Sequence, residues 1–227
     1  MTRSIIVTGG FGALGQVVAG LFATSGDRVA RVDFSNSGPP GGEGLIDMGG
    51  IDLTDAAACG SLVDRVTTQL GGLDVLVNIA GGFVWQTLDG GDIDEWQKMY
   101  QMNVLTAATM TKAALPALTA APAGRIINIG AAAAISAASG MGAYAASKAG
   151  IHRLTESLAA ELAGTRLTVN AVLPTIIDTP ANRADMPDAD TSGWVTPHAI
   201  ADVIYFLASP AARAISGALI PVSRGGD

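Results

Sequence analysis

Apolar residues in this chain fall into short runs, separated by longer stretches where they recur every three or four positions. The runs predict strands at Ser4–Thr8, Arg28–Asp33, within Leu45–Leu53, and at Leu73–Ile79, Arg125–Ile129, Arg166–Leu173 and Ala218–Val222. Leu14, Val17, Val18, Leu21 and Phe22 recur at helical spacing after the first run, and Gly26 ends that helix. Further helices are predicted from a Thr54 cap to about Leu70, from about Asp92 to Ala114 and from about Tyr144 to Ala163. A last one starts at Thr196-Pro197, with proline in its first turn, and runs to about Ala208. Strands alternate with helices, and most strands are apolar on both faces. The expected fold class is therefore α/β: one domain, residues 1–227, with a doubly wound parallel sheet of about seven strands and helices on both faces. The least regular segment, 174–195, follows the carboxyl end of a strand, where ligands bind in open α/β sheets. With Met186, Pro187, Asp185, Asp188 and Asp190 it reads as a substrate-binding lid.

Composition narrows the field. Of 227 residues, 49% are apolar and 15% charged, which suits a packed core and not a disordered chain. The net charge is −7 with no basic cluster, so nucleic acid is not an expected partner. Cys59 is the single cysteine, and His152 and His198 are the only histidines, so neither a disulfide nor a metal site is expected. The start of the chain carries no secretory pattern, and the apolar stretch 130–138 is too short to span a bilayer. A cytoplasmic protein acting on a small molecule, away from membranes, is the expectation.

Three motifs carry chemistry. Thr8-Gly9-Gly10-Phe11-Gly12-Ala13-Leu14-Gly15 joins the first strand to the first helix. Gly9 permits a tight turn, Gly12 lets a pyrophosphate approach the backbone, and Gly15 lets the helix pack on the sheet. Alone, such a run also suits an ordinary loop. Asp33 ends the second strand, 18 residues after Gly15. A carboxylate there accepts hydrogen bonds from a ribose and repels a 2′-phosphate, which favours NAD(H) over NADP(H). Arg31 lies two positions earlier, within the strand. The third motif is Tyr144-Ala145-Ala146-Ser147-Lys148, whose Tyr and Lys share one helix face. An ammonium beside the phenol would lower its pKa toward neutrality and suit it to proton transfer.

Together these residues resemble the short-chain dehydrogenase/reductase family over essentially the whole chain, which implies a single-domain Rossmann fold. Asp52-Leu53, Asn78-Ile79-Ala80-Gly81, Asn103 and the segment from Pro174 through Ile177 to Thr179 complete the resemblance. It implies that Asp52 and Leu53 flank an adenine and that Asn78, Ala80 and Gly81 line the cofactor. Phe11, Ala13, Leu14, Pro174 and Ile177 join that cofactor site, and Thr179 contacts the carboxamide. Tyr144 is then the general acid/base, Lys148 also binds the nicotinamide ribose, and Asn103 holds a relay water. A homodimer or homotetramer through the two long central helices is implied as well.

Two departures stand out. The glycines are spaced TGxxGxxG, and the family's catalytic serine, 13 positions before the Tyr, is Ala131 here. Ser136 or Ser139 could reach in, the substrate could dispense with the donor, or the site could be weak. Both departures resemble the dihydropteridine reductase branch, which reduces a quinonoid pterin with NADH, although that branch lacks the Asn at 103. A catalytically weak NAD(H)-binding sensor or scaffold is the reading from another class. Trp85 and Trp194 are candidate walls of a substrate pocket or packing residues.

Overall fold

In β1 (Ser4–Thr8), Ile5 and Val7 face one side of the sheet and Ile6 the other, and all three are buried. The same alternation governs β2 (Arg28–Val32), β4 (Val75–Asn78) and β5 (Arg125–Ile129), so the strands need cover on both faces. The computed structural model describes residues 2–224. Its seven-stranded sheet has the order β3-β2-β1-β4-β5-β6-β7, with β3 at Leu45–Met48, β6 at Thr168–Pro174 and β7 at Leu219–Val222. Every neighbouring pair is parallel. One face is covered by α1 (Ala13–Thr24) and α7 (Pro197–Leu207), through Leu14, Val18, Phe22, Ile200 and Ile204. The other is covered by α2 (Ala56–Leu70), α4 (Thr106–Ala120) and α5 (Gly142–Glu161), through Leu62, Val66, Met110, Leu118 and Leu158.

The chain winds outward from β1 to β3 and then restarts at β4 on the other side of β1. The carboxyl ends of β1 and β4 thus border the switch point, where a crevice must open. Thr8, at the tip of β1, holds the two ends together. Its Oγ1 accepts hydrogen bonds from the amides of Ile79 (3.0 Å) and Ala80 (3.2 Å), just past β4.

Several boundaries differ from those the sequence predicts. The helix expected from Asp92 to Ala114 is continuous but composite: α3 (Asp94–Tyr100), a π-helical turn (Gln101–Leu105) and α4, which passes through Pro116 to Ala120. The cap of α2 is Asp55, whose carboxylate accepts from the amides of Ala57 and Ala58. Thr54 instead donates to Asp52, because the Asp52 carboxylate sits within reach of both its amide and its hydroxyl. The strand expected within Leu45–Leu53 occupies Leu45–Met48, and the one expected at Leu73–Ile79 is shorter, since its pairing with β5 runs from Val75 to Asn78. Segment 174–195 contains a short helix, α6 (Pro180–Asp185), and its base is stapled by a parallel bridge between Ile177 and Val195. Among the described residues no helix is long and apolar enough to cross a membrane.

Thr8→Val keeps the shape of the side chain but leaves two amides at the strand tips without their acceptor. It should lower stability by about 1–3 kcal/mol, the cost of stranding buried donors. An unchanged urea midpoint would overturn this role for the hydroxyl.

Candidate active site

Two cavities open at the carboxyl ends of the strands. The first, about 950 Å³, is lined by Gly9, Gly12, Ala13, Leu14 and Gly15 from the turn into α1. Gly9 has φ +63°, and a Cβ at Gly15 would run into the Gly9 carbonyl oxygen, so the turn can close only with glycine at both. Gly12 caps α1 without a side-chain hydrogen bond, which leaves the first amides of the helix pointing outward with their partial positive charge. Asp33, Asp52, Leu53, Ala80, Gly81 and Thr179 complete the wall. The Asp33 carboxylate accepts from the amides of Phe11 and Ser35, which fixes it at the end of β2. The hydroxyl and amide of Thr54 hold the Asp52 carboxyl below its usual pKa.

Arg31 is unavailable to this cavity. It is 3% exposed, pairs with Asp47 through Nε (2.7 Å) and Nη2 (2.8 Å), and donates to the Pro39 carbonyl. Its guanidinium also lies over the Phe11 ring, so Phe11 packs on Arg31 and Gly38 and its side chain does not line the cavity. Sequence reasoning missed Phe34, which lines the same cavity while 76% exposed. A lone aromatic directly after Asp33, in an otherwise polar loop, is the signal that was there to read.

The second cavity, about 1090 Å³, shares Leu14, Ile79 and Gly81 with the first, so the two meet. It is lined by Tyr144 and Lys148 of α5, by Ala131 beyond β5, and by Pro174 and Ile177. Trp85 lines it too: its Nε1 donates to the Ser139 carbonyl, and its ring covers Gly140. Phe83, also missed from sequence, meets the Tyr144 ring edge-on at 4.9 Å. Ser136 and Ser139 are exposed and line neither cavity.

One alternative left open by the sequence is decided, and two assignments need correction. Trp194 is 6% exposed and lines neither cavity; it is a packing residue beside the bridge that staples segment 174–195. Asn78 is buried behind the strands, donating to Thr111 and Asn128, and does not line the cofactor-sized cavity. The expected lowering of the Tyr144 pKa is also absent. Lys148 Nζ donates to the Ile129 carbonyl (2.8 Å), and burial pushes the phenol up to about 12. Burial likewise pushes Lys148 down to about 8.

Asn103 stands behind the junction of the cavities, in the π-helical turn. Its Oδ1 accepts from the Gly82 amide (2.9 Å), and its Nδ2 donates to the Gly82 carbonyl (3.1 Å) and to Ser147 Oγ (2.9 Å). Ser147 Oγ in turn donates to the Tyr144 carbonyl (2.7 Å). The side chain is fully engaged in holding backbone and α5 together. His152 is buried one turn beyond Lys148, against Gly130, and lines neither cavity. Among the described residues no cluster of three metal-ligating side chains occurs.

The model of the short-chain dehydrogenases matches residues 3–190. The chain belongs to the short-chain dehydrogenase/reductase family. It is 30% identical over 232 residues to a 3-oxoacyl-[acyl-carrier-protein] reductase of Vibrio cholerae, covering 97% of this chain and 95% of that protein. It is 32% identical over 238 residues to a cis-4-hydroxycyclohexanecarboxylate dehydrogenase of Sinomonas cyclohexanicum, covering 98% and 96%. The aldohexose dehydrogenase of Thermoplasma acidophilum has the same architecture, with a TM-score of 0.87 at 25% identity, covering 97% of this chain and 92% of that one. This family member is accordingly an oxidoreductase.

The buried lysine has a consequence for stability. Below about pH 8 both folded and unfolded chains carry the ammonium, and the folded state bears its burial cost. From about pH 8 to 10.5 the unfolded chain alone keeps the proton, so this contribution to stability rises with pH. Tyr144 acts with the opposite sign, but only from pH 10 to about 12. Wild type should therefore gain stability relative to Lys148→Met between pH 8 and 10, measured by urea unfolding. A flat difference would mean that Lys148 is not desolvated.

Proposed function

We propose that this oxidoreductase uses NAD(H) in preference to NADP(H) and transfers hydride to or from a small carbonyl, alcohol or imine-type substrate. The observation that carries the reading is the meeting of the two cavities at Leu14, Ile79 and Gly81. One offers a glycine turn, an uncapped helix start and a carboxylate at the ribose position. The other offers a proton donor. A dinucleotide fits the first: the pyrophosphate would sit on the α1 amides and the adenosine ribose on Asp33. With Arg31 spent on Asp47, no guanidinium remains beside Asp33 to welcome a 2′-phosphate.

A bound dihydronicotinamide would supply the hydride to the substrate carbon, and the proton that the substrate oxygen then needs would come from Tyr144 Oη, which lines the cavity. A phenol held at about 12 keeps that proton at neutral pH, which suits the reductive direction. Lys148 Nζ, with a pKa near 8, lies close to Gly81, where a nicotinamide ribose would lie, and supplies positive charge there. Asn103 is a positioning residue: it fixes Gly82 and, through Ser147, the turn of α5 that carries Tyr144. The exposed Ile93, Tyr100 and Leu105 along the α3–α4 helix support assembly into a homodimer or homotetramer.

A narrower reading, reduction of a quinonoid pterin, is favoured by Ala131, and so is a weakly turning-over NAD(H) sensor. The position where the family carries a hydroxyl is methyl, and no serine replaces it. A lost donor of this kind costs about 3–4 kcal/mol in the transition state when the charge is localised on one oxygen. Conjugated substrates spread that charge and need it less. A sensor would have no use for the arrangement of Tyr144, Lys148 and Asn103, which supports turnover.

The test is NADH oxidation with a panel of ketones, quinones and quinonoid dihydropteridine. NADH should exceed NADPH in kcat/KM, and Asp33→Ala should narrow the gap. Tyr144→Phe should abolish turnover with NADH affinity nearly unchanged; wild-type kinetics in that variant would sink the assignment of the proton donor.

Ala131→Ser should raise kcat/KM on simple ketones by about 10²-fold, the usual scale for one oxyanion donor, and leave conjugated substrates little changed. Equal gains on both would show that the substrate class does not follow from the missing hydroxyl.

A further inference from the structure

The second cavity has a charge pattern that the shared chemistry of the family does not require. Of the residues that line it, only Lys148 and Asp185 are of the Lys, Arg, Asp or Glu type. Lys148 is buried, with Nζ turned to the Ile129 carbonyl, so it presents little positive charge to the outer part of the cavity. Asp185, the last residue of α6, also lines it. Its carboxylate joins no ion pair among the described residues. The nearest arginine in sequence, Arg183, is held bidentately by Asp178 through Nε (2.6 Å) and Nη2 (2.8 Å) and cannot offset it. Asp188 and Asp190 follow directly and add negative potential.

The lining of the same cavity includes two aromatic side chains that are largely open. Phe83 is 55% and Trp85 60% exposed, although both line the cavity. Exposed aromatic faces beside a catalytic phenol are surfaces for a flat ligand to cover. Trp85 cannot readily swing away, because its Nε1 is bound to the Ser139 carbonyl and the next residue's amide donates to Gly140.

We propose that the substrate is a flat aromatic carbonyl compound that is neutral or cationic, and that Asp185 sets this preference. The proposal rests on the oxidoreductase reading above. The ring lies against Phe83 and Trp85, its carbonyl reaches Tyr144, and its far end meets the Asp185 carboxylate. A carboxylate or phosphate on that end meets like charge and finds no free cation.

The probes are naphthoquinones whose second ring carries a methyl, trimethylammoniomethyl or carboxymethyl group, assayed with NADH after subtraction of the uncatalysed rate. Binding to the protein with NAD is measured in parallel by calorimetry with the corresponding hydroquinones. The carboxymethyl member should fall below the methyl member in kcat/KM and affinity by about fivefold, the scale of one partly screened charge pair. The trimethylammoniomethyl member should equal or exceed the methyl member. Asp185→Asn should level the series, and Asp185→Lys should invert it. Equal or preferred use of the carboxymethyl member by the wild type overturns the proposal and leaves the oxidoreductase reading intact. NADH binding without binding of any aromatic probe also overturns it. Failure to bind NADH at all overturns the underlying reading instead.

Discussion

The whole arrangement hangs on one buried amide. Asn103 is 1% exposed and satisfies both the N–H and the C=O of Gly82, while its remaining donor reaches Ser147. A buried amide is costly unless its polar atoms find partners, and here those partners come from two different elements. The loop after β4 and the first turns of α5 therefore cannot move independently without stranding the side chain. Gly81 forms the floor shared by both cavities, and Tyr144 and Lys148 stand on α5. The π-helical turn gives this link its geometry. It inserts one residue into an otherwise α-helical ladder, and such insertions recur at functional sites because they re-aim a side chain.

A second buried polar chain runs behind the first. Asn78 donates to Thr111 and Asn128, and Asn128 donates to Thr155 of α5. It ties β4 and β5 to the helices on one face, as Thr8 ties β1 to β4 at the crevice. These residues were read from sequence as cofactor contacts or as ordinary strand positions. Their hydrogen bonds tie the strand tips to one another and to α5, the helix that carries Tyr144. Positioning and binding residues share the same short motifs, and motif spacing alone does not separate them.

The parallel sheet and the helices that cover it were legible because they follow from local signals: apolar runs in the strands, helical spacing, and glycines at a strand-to-helix turn. Apart from Phe34, the lone aromatic after Asp33, what escaped had no local signal. The π turn costs no apolar periodicity that the surrounding helix would not also show, so Asp92–Ala114 read as one uniform helix. Asp55 outcompeted Thr54 as a cap because Asp52 engaged Thr54, a contest decided by loop geometry. Trp194 stayed open between pocket wall and packing residue because an aromatic in an irregular segment suits both; beside the Ile177–Val195 bridge it is buried and packs. The lowered pKa expected for Tyr144 failed for a related reason. Helical spacing puts the lysine on the right face, but its ammonium goes to the Ile129 carbonyl, and burial then governs both groups.

That last result bears on what the site demands of its substrate. Burial holds the phenol protonated and weakens the hold of the lysine on its own proton, so the pair starts as one reluctant acid and one reluctant cation. A hydroxyl at position 131 would share the charge that gathers on the substrate oxygen; the methyl of Ala131 does not, and the loop serines face solvent. Fewer protein groups are then left to stabilise that charge. In the proposed reaction, delocalisation within the substrate would make up for the missing donor. A conjugated, flat molecule would supply it and would also cover the exposed Phe83 and Trp85. The missing hydroxyl and the aromatic walls are separate features of the sequence, and the proposed substrate class would suit both.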